Sequence, residues 1–385
     1  MSLFNLLKYV ATEPSLNRPL EFPPCSVLKI DKQQLQWIVD AGFAPLLFRA
    51  VGAGAETLPP DVRDVLRSAD LTAIIRSEVL IEATKDLLDS CQGRGIPVTL
   101  LKGISISDQY YPLAHLRPMG DIDILVAEEA HDMVESQLLR LGYERKRNYQ
   151  QRDDAHHGVP LFHADRGIWI EVHTALFPNE ASIRADGVFS ALHVATHVIP
   201  SCFHGRTVNR LTNELQIVYI ASTWIRDLAQ HGIHASFLPP LLDAIFLLKA
   251  TEGLLDWDVL LGWLDNQIAM ASLYVMLTYL ARCGFCQVDA SIISRLALSQ
   301  DVIGRSGLRI FHAILDSYLV QGKRFTRFFN SSHARIVLST LLASGSRTRN
   351  LSLVPWNLAF PPDVADRYRL SYQISRLARV LRSKN

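Results

Sequence analysis

The stretch Met119-Gly120-Asp121-Ile122-Asp123-Ile124-Leu125-Val126 places two acidic residues in a short apolar run. Successive side chains of a β-strand point to opposite faces of a sheet, so Asp121 and Asp123 share one face at a spacing of about 7 Å. Ile122 and Ile124 then pack on the other face. Two carboxylates held in this way can bind divalent metal ions beside the phosphates of a nucleotide. The stretch therefore predicts a strand that carries a metal site.

The spacing of the two acidic residues is weak evidence without its surroundings. With 38 acidic residues in 385, composition alone gives about four pairs at this spacing. One of them, Asp256 and Asp258, opens an apolar run with helical spacing. Acidic residues stabilise the first turn of a helix, so we interpret that pair as capping residues. The residues that flank Asp121 and Asp123 must therefore decide their role.

Upstream lies a candidate phosphate-binding turn. Residues 96–101 are predicted to form a short buried strand, and Lys102-Gly103 separates it from a helix predicted over residues 104–111. Gly103 lets the backbone approach an anion closely, and the free amide groups at a helix start point towards it.

Four side chains near this turn are candidate phosphate contacts. Ser105 and Ser107 supply hydroxyl donors, and Lys102 and Arg117 can neutralise phosphate charge. The alternative is a simple tight turn with two solvated cations. We prefer the phosphate site because of the neighbouring acidic pair.

Downstream, residues 168–173 alternate in polarity and are predicted to form a strand. Trp169, Glu171 and His173 share one face, so Glu171 is a candidate third carboxylate. If this strand lies beside Asp121 and Asp123, three carboxylates converge, a set that suits Mg²⁺ better than Zn²⁺. The pattern fits a solvated edge strand equally well.

Three histidines lie near these motifs. His156 and His157 fall in an irregular polar stretch over residues 148–158, which we interpret as a loop without a special role, with metal or phosphate binding as the alternative. His173 shares a face with Glu171, where it can orient that carboxylate or bind a phosphate.

Together these motifs resemble the uncharacterised bacterial nucleotidyltransferase family, within the superfamily that has a DNA polymerase β-like catalytic core. The resemblance extends over roughly residues 35–280 in pattern and is specific in its motifs. Those motifs are residues 96–103, Tyr110-Tyr111-Pro112, residues 117–126 and Ile170-Glu171-Val172-His173.

The resemblance implies a small mixed α/β core that binds two metal ions through Asp121 and Asp123, with Glu171 as a further ligand or as the base. It also implies Mg²⁺, with Mn²⁺ as the alternative ion, and a nucleoside triphosphate as co-substrate. Gly103 corresponds to the Gly-Ser or Gly-Gly step that contacts the triphosphate in the superfamily. This chain departs from that step, because Lys102 precedes the glycine and Ile104 follows it.

Composition indicates an ordinary globular protein, with 49% hydrophobic and 20% charged residues in a chain long enough for two or three packed units. No apolar run approaches the ~20 residues that cross a bilayer. The first residues lack the layout of a signal peptide, and five cysteines fit reduced thiols, so we expect a cytoplasmic protein. Cys283 and Cys286 are interpreted as structural.

Charge is distributed unevenly along the chain. Residues 305–385 contain 14 Lys and Arg against 3 Asp, which leaves the remainder with an excess of ten acidic residues. This basic segment indicates an acidic partner or docking against the acidic remainder of the same chain. A lone Asp243 on an apolar helix is expected to be partly exposed, with a contact to a base or sugar as the alternative.

The predicted fold class is α+β, with a small mixed-sheet core between helical units. Residues 1–92 form the N-terminal helical unit, 93–200 the core and 201–385 a helical domain with a basic C-terminal part. Within that domain, helices are predicted over residues 211–228, 239–251, 257–266, 269–283, 306–319 and 365–381, the last after a loop at the prolines 355, 361 and 362.

The expected function is metal-dependent transfer of a nucleoside monophosphate from a nucleoside triphosphate to a hydroxyl group, with release of pyrophosphate. The acceptor is expected to be a small molecule or peptide, since no RNA-recognition module is evident. The alternatives are a non-catalytic nucleotide- or peptide-binding protein, or another phosphate-ester transferase that uses the same metals.

Overall fold

A computed structural model of the chain describes residues 30–52, 56, 58–146, 156–178, 187–231, 238–319, 331–342 and 347–359. Among these residues, seven strands form one mixed sheet in the order β3-β4-β5-β2-β1-β7-β6. The strands are β1 Thr99–Leu100, β2 Asp121–Leu125, β3 Glu144–Arg145, β4 Leu161–His163, β5 Ile168–His173, β6 Val198–Phe203 and β7 Arg206–Leu211.

Helices cover the sheet and continue beyond it, so the architecture is the predicted α+β. They are α1 Lys32–Asp40, α2 Ala44–Val51, α3 Pro60–Gln92, α4 Lys102–Tyr110, α5 His131–Arg140, α6 Ala191–Thr196, α7 Asn213–His231, α8 Leu238–Ala250, α9 Trp257–Trp263, α10 Gln267–Cys283, α11 Ala290–Ser299, α12 Arg305–Leu319, α13 Ser331–Leu341 and α14 Arg347–Ala359. No helix in the described ranges combines the length and the apolar character that a membrane crossing needs.

The central strand β2 has one apolar face and one acidic face. Ile122 and Ile124 are fully buried in a cluster with side chains of α3 and α5, such as Leu80 and Val134. Because side chains alternate along a strand, Asp121 and Asp123 point to the opposite face. Packing of the isoleucines therefore fixes the direction in which the carboxylates point.

The sheet continues past residue 200, the predicted end of the core, because residue 200 lies within β6 and the β6–β7 hairpin extends to Leu211. The loop predicted at Pro355 is instead part of α14. Proline removes one backbone donor from a helix without preventing it, so packing overrides this local signal. The helix predicted over residues 365–381 lies outside the described residues.

A buried ion pair joins the loop before β2 to the helical domain. Asp243 on α8 accepts hydrogen bonds from Arg117 Nε and Nη2 at 3.1 and 2.9 Å, and from the Tyr111 hydroxyl at 2.8 Å. Asp243 is 2% exposed, contrary to the expected partial exposure, and its oxygens are occupied by protein groups. Burial would lower the pKa of Arg117, but the charge of Asp243 raises it and keeps the guanidinium ionised.

We expect Asp243→Asn to lower the free energy of unfolding by about 3–5 kcal/mol, because it leaves a buried guanidinium without its anion. The double variant Arg117→Met/Asp243→Leu should recover most of the loss, since it removes both charges. Urea denaturation measures both effects. Asp316→Asn is the control, because the Arg282–Asp316 pair is partly exposed and should contribute less than about 1 kcal/mol. A loss at Asp243 as small as at Asp316 would contradict the expectation.

Candidate active site

Asp121, Asp123 and Glu171 lie on the same face of the sheet. β2 and β5 are adjacent and parallel, with Asp123 in register with Glu171 and Asp121 in register with Trp169. Oxygen atoms of Asp123 and Glu171 and a ring nitrogen of His173 all lie within 4.8 Å of one another. The structure therefore places the two predicted acidic strands side by side, which is the condition that the sequence analysis set for bringing the carboxylates together.

Asp123 is the buried centre of this cluster. Its Oδ1 lies 2.6 Å from Lys102 Nζ and 2.8 Å from His173 Nε2. Since a carboxylate only accepts hydrogen bonds, His173 donates from Nε2. Burial alone would raise the pKa of Asp123, but the Lys102 charge and the His173 hydrogen bond outweigh it, and the pKa lies below its usual range. Asp123 is therefore an anion held by two donors.

Asp121 and Glu171 flank Asp123 without a comparable partner. Among the described residues, neither carboxylate accepts a hydrogen bond, and Glu171 Oε2 is 3.7 Å from His173 Nε2. Water reaches Asp121, yet the surrounding protein raises its pKa to about 6, with desolvation as the largest cause and the charge of Asp123 next. Neighbouring like charges of this kind are stabilised by a cation, so the oxygen-rich cluster fits a hard divalent ion such as Mg²⁺.

The turn at Lys102-Gly103 has unusual backbone geometry. Lys102 adopts a φ of +42°, a left-handed conformation that costs a residue with a side chain about 1–2 kcal/mol. This conformation begins α4 and accompanies the contact of the Lys102 ammonium group with Asp123. A Cβ atom on Gly103 would lie 2.4 Å from Arg117 Nη1, so the close approach of Arg117 requires glycine there.

Several predicted phosphate contacts have protein partners instead. Ser105 is fully buried, and its hydroxyl accepts a hydrogen bond from Gln109 Nε2 at 2.9 Å. Ser107 is also buried and donates to the Ile104 carbonyl oxygen at 3.2 Å. Arg117 is bound to Asp243 by both oxygens. The sequence does not show that α4 points the side chains of Ser105 and Ser107 into the protein. The prediction therefore treated both hydroxyl groups as available to a phosphate.

The histidine pair lies against the end of β5. His157 forms an antiparallel bridge with His173, and the rings of His156 and His157 lie 5.2 and 5.3 Å from the His173 ring. Burial, followed by the charge of His173, lowers the pKa of His156, which favours its neutral form. The interpretation of this pair as a loop without a role did not anticipate its contact with His173, the residue that donates to Asp123.

Two further polar side chains, Tyr219 and Arg226 of α7, contact Phe177 just beyond β5. The Phe177 ring, just beyond β5, contacts the Tyr219 ring at a centroid distance of 5.4 Å and lies 5.3 Å from the Arg226 guanidinium carbon. Sequence reasoning missed both residues because α7 is largely apolar. Their spacing of seven residues, which puts them on one side of a helix, is the signal that was available.

The strain at Lys102 predicts an unusual order of stability. Lys102→Ala and Lys102→Gly both remove the ammonium group, but only alanine keeps a Cβ in the left-handed conformation. We expect the glycine variant to be more stable by about 1 kcal/mol in urea denaturation. The same two substitutions at Arg67, exposed on α3, should show the opposite order. An alanine variant at Lys102 as stable as the glycine variant would contradict the assigned strain.

Comparison with known proteins supports the chemistry that the cluster suggests. A family model described as uncharacterised nucleotidyltransferase matches residues 31–284. The chain matches no curated protein. Among solved structures, it is similar to the antibiotic-resistance factor ANT(2'')-Ia, with 15% sequence identity over 54% of this chain and 98% of that chain and a TM-score of 0.33. That low TM-score carries no argument about function.

The family match includes every element that builds the acidic cluster. Residues 31–284 contain the Lys102-Gly103 turn, both acidic strands and α7, and they make up more than half of the 385 residues. The match confirms the resemblance drawn from the sequence motifs. The chain therefore belongs to the family of uncharacterised nucleotidyltransferases.

Proposed function

We propose that this protein transfers a nucleoside monophosphate from a nucleoside triphosphate to a hydroxyl group of a small-molecule or peptide acceptor. The observation that carries the proposal is the register of Asp123 with Glu171 on adjacent parallel strands, with Asp121 two residues before Asp123. Two of these carboxylates accept no hydrogen bond among the described residues. Such a set is suited to a divalent cation and a triphosphate.

In the proposed reaction, the acceptor oxygen forms a bond to the α-phosphorus, and the bond from that phosphorus to pyrophosphate breaks. Asp121 and Asp123 would hold Mg²⁺, with Mn²⁺ as the alternative ion, and Glu171 would be a further ligand or the base. When bound, such an ion lowers the pKa of the acceptor hydroxyl and neutralises charge on the departing pyrophosphate.

The side chains of the site have distinct roles in this proposal. His173 and Lys102 hold Asp123 in one orientation through contacts of 2.8 and 2.6 Å. Glu171 accepts no hydrogen bond among the described residues, so its carboxylate can take the proton that leaves the acceptor hydroxyl. Gly103 allows the close packing of the turn that positions Lys102.

We expect Glu171→Gln and Asp121→Asn each to reduce pyrophosphate release on the order of 100- to 1,000-fold, because each removes charge placed for the transition state. The measurement follows a labelled nucleoside triphosphate and pyrophosphate together, with Mg²⁺ and panels of candidate acceptors. Asp258→Asn is the matched control. It belongs to the other acidic pair, in which Asp256 caps α9 by accepting from Val259 N at 2.9 Å.

Unchanged turnover in both site variants would refute the assignment of the carboxylates. Triphosphate binding in the wild-type chain without pyrophosphate release under any acceptor would support the alternative of a non-catalytic binding protein. Transfer of a phosphate or sugar group without nucleotide incorporation would instead support another phosphate-ester transferase.

The unpaired carboxylates also predict stabilisation by the metal ion alone. At a Mg²⁺ concentration 100 times the dissociation constant, the free energy of unfolding should rise by about 2.7 kcal/mol. Thermal unfolding measures the change, with NaCl of equal ionic strength as the control. The double variant Asp121→Asn/Glu171→Gln should lose the rise, and an equal rise in that variant would show that Mg²⁺ binds elsewhere.

A further inference from the structure

Helix α7 presents polar side chains that the fold leaves without hydrogen bonds. Among the described residues, buried atoms without a partner include both amide atoms of Gln216, the Tyr219 hydroxyl and Arg226 Nε. Buried polar groups in proteins nearly always have a partner. Positions 216, 219 and 226 lie on one side of the helix, so the atoms without partners share one face of α7.

Contacts of Tyr219 and Arg226 place this side of α7 against the segment that follows β5, the strand that carries Glu171 and His173. Phe177 contacts both side chains and lies four residues after His173, the last residue of β5. The strand before α7, β7, is paired in parallel with β1, which leads into Lys102. Burial raises the pKa of Tyr219, and the charges of Lys102, Asp123 and Arg226 are the next influences on it. The phenol therefore lies close enough to Lys102 and Asp123 for their charges to act on it.

Arg226 keeps hydrogen-bonding capacity that Arg117 has lost. Its ion pair with the adjacent Asp227 spans 3.6 Å, which is longer than a hydrogen bond, whereas Arg117 is bound to Asp243 at 2.9 Å. The Arg226 side chain is 19% exposed, so a solute can reach it. A planar guanidinium and a neutral phenol on the same side of one helix are donors that phosphate oxygens accept.

We propose that Arg226 and Tyr219 bind the β- and γ-phosphates of the nucleoside triphosphate, and pyrophosphate after transfer. This inference rests on the proposed function and specifies its phosphate site. In this arrangement α7 supplies the donors that the sequence assigned to Ser105 and Arg117. The acidic strands then face the α-phosphate, while α7 holds the β- and γ-phosphates, which leave as pyrophosphate.

Binding of pyrophosphate, ATP and AMP to the full-length chain, measured by calorimetry with Mg²⁺, tests the assignment. Arg226→Gln should weaken pyrophosphate and ATP binding about 10- to 100-fold, and Tyr219→Phe about 5- to 10-fold. AMP has no β- or γ-phosphate, so its affinity should not change. In transfer assays, the same variants should raise the KM for the triphosphate more than they lower kcat.

Two substitutions of the same kind serve as controls. Arg282→Gln removes a guanidinium that lies 5.2 Å from the Tyr279 ring, outside the cluster. Tyr143→Phe removes a buried hydroxyl beside His163 in the α/β core. Neither should change pyrophosphate binding. Urea midpoints show that each variant folds, and Arg226→Lys, which keeps the charge but loses the planar fork, should bind with intermediate affinity.

The outcomes separate this inference from the proposed function. Wild-type-like pyrophosphate binding in folded Arg226→Gln and Tyr219→Phe would overturn the inference, while loss of transfer in Glu171→Gln would still support the proposed function. An equal loss of AMP binding would also overturn it, because α7 would then contact the nucleoside or α-phosphate. A wild-type chain that binds neither pyrophosphate nor ATP would overturn both.

Discussion

The contact of Asp123 with Lys102 and His173 is the interaction on which the site depends. It joins three separate parts of the chain: the central strand, the first residue of α4 and the end of β5. An unpaired carboxylate at 3% exposure would be costly, so the two donors are required wherever Asp123 is buried. Lys102 meets this requirement in a left-handed conformation, which indicates that the ion pair outweighs the local backbone strain.

One face of β2 packs in the hydrophobic core, and the other face carries the acidic residues. Ile122 and Ile124 contribute to a buried cluster under α3 and α5, and this packing holds the strand in place. The opposite face carries Asp121, whose pKa is raised by desolvation and next by the negative charge of Asp123. Hydrophobic burial on one side of the strand thus offsets the unfavourable concentration of charge on the other side. This is the pattern expected where function, and not stability, selects the residues.

The cations around the cluster fall into two groups according to their partners. Arg117 neutralises Asp243 and ties the loop before β2 to α8, so its charge serves the structure. Among the described residues, Arg226 pairs with its neighbour Asp227 at 3.6 Å, and it lies beside Phe177, four residues after the end of β5. The geometry of their partners therefore distinguishes Arg117, which is fully engaged by Asp243, from Arg226, which keeps donors for the proposed phosphate contact.

Sequence by itself determined the α+β class, the two acidic strands and the family, because strand alternation and short motifs are local properties. It also gave most helices closely, as in residues 211–228 for the helix Asn213–His231. Only the tertiary structure decided that Glu171 lies in register with Asp123, that Ser105 is buried and Arg117 is paired, and that Tyr219 and Arg226 contact Phe177 just after β5. These features depend on contacts between residues about 50 to more than 100 positions apart, such as Asp123 with Glu171 and Arg117 with Asp243, and no local pattern encodes such pairings.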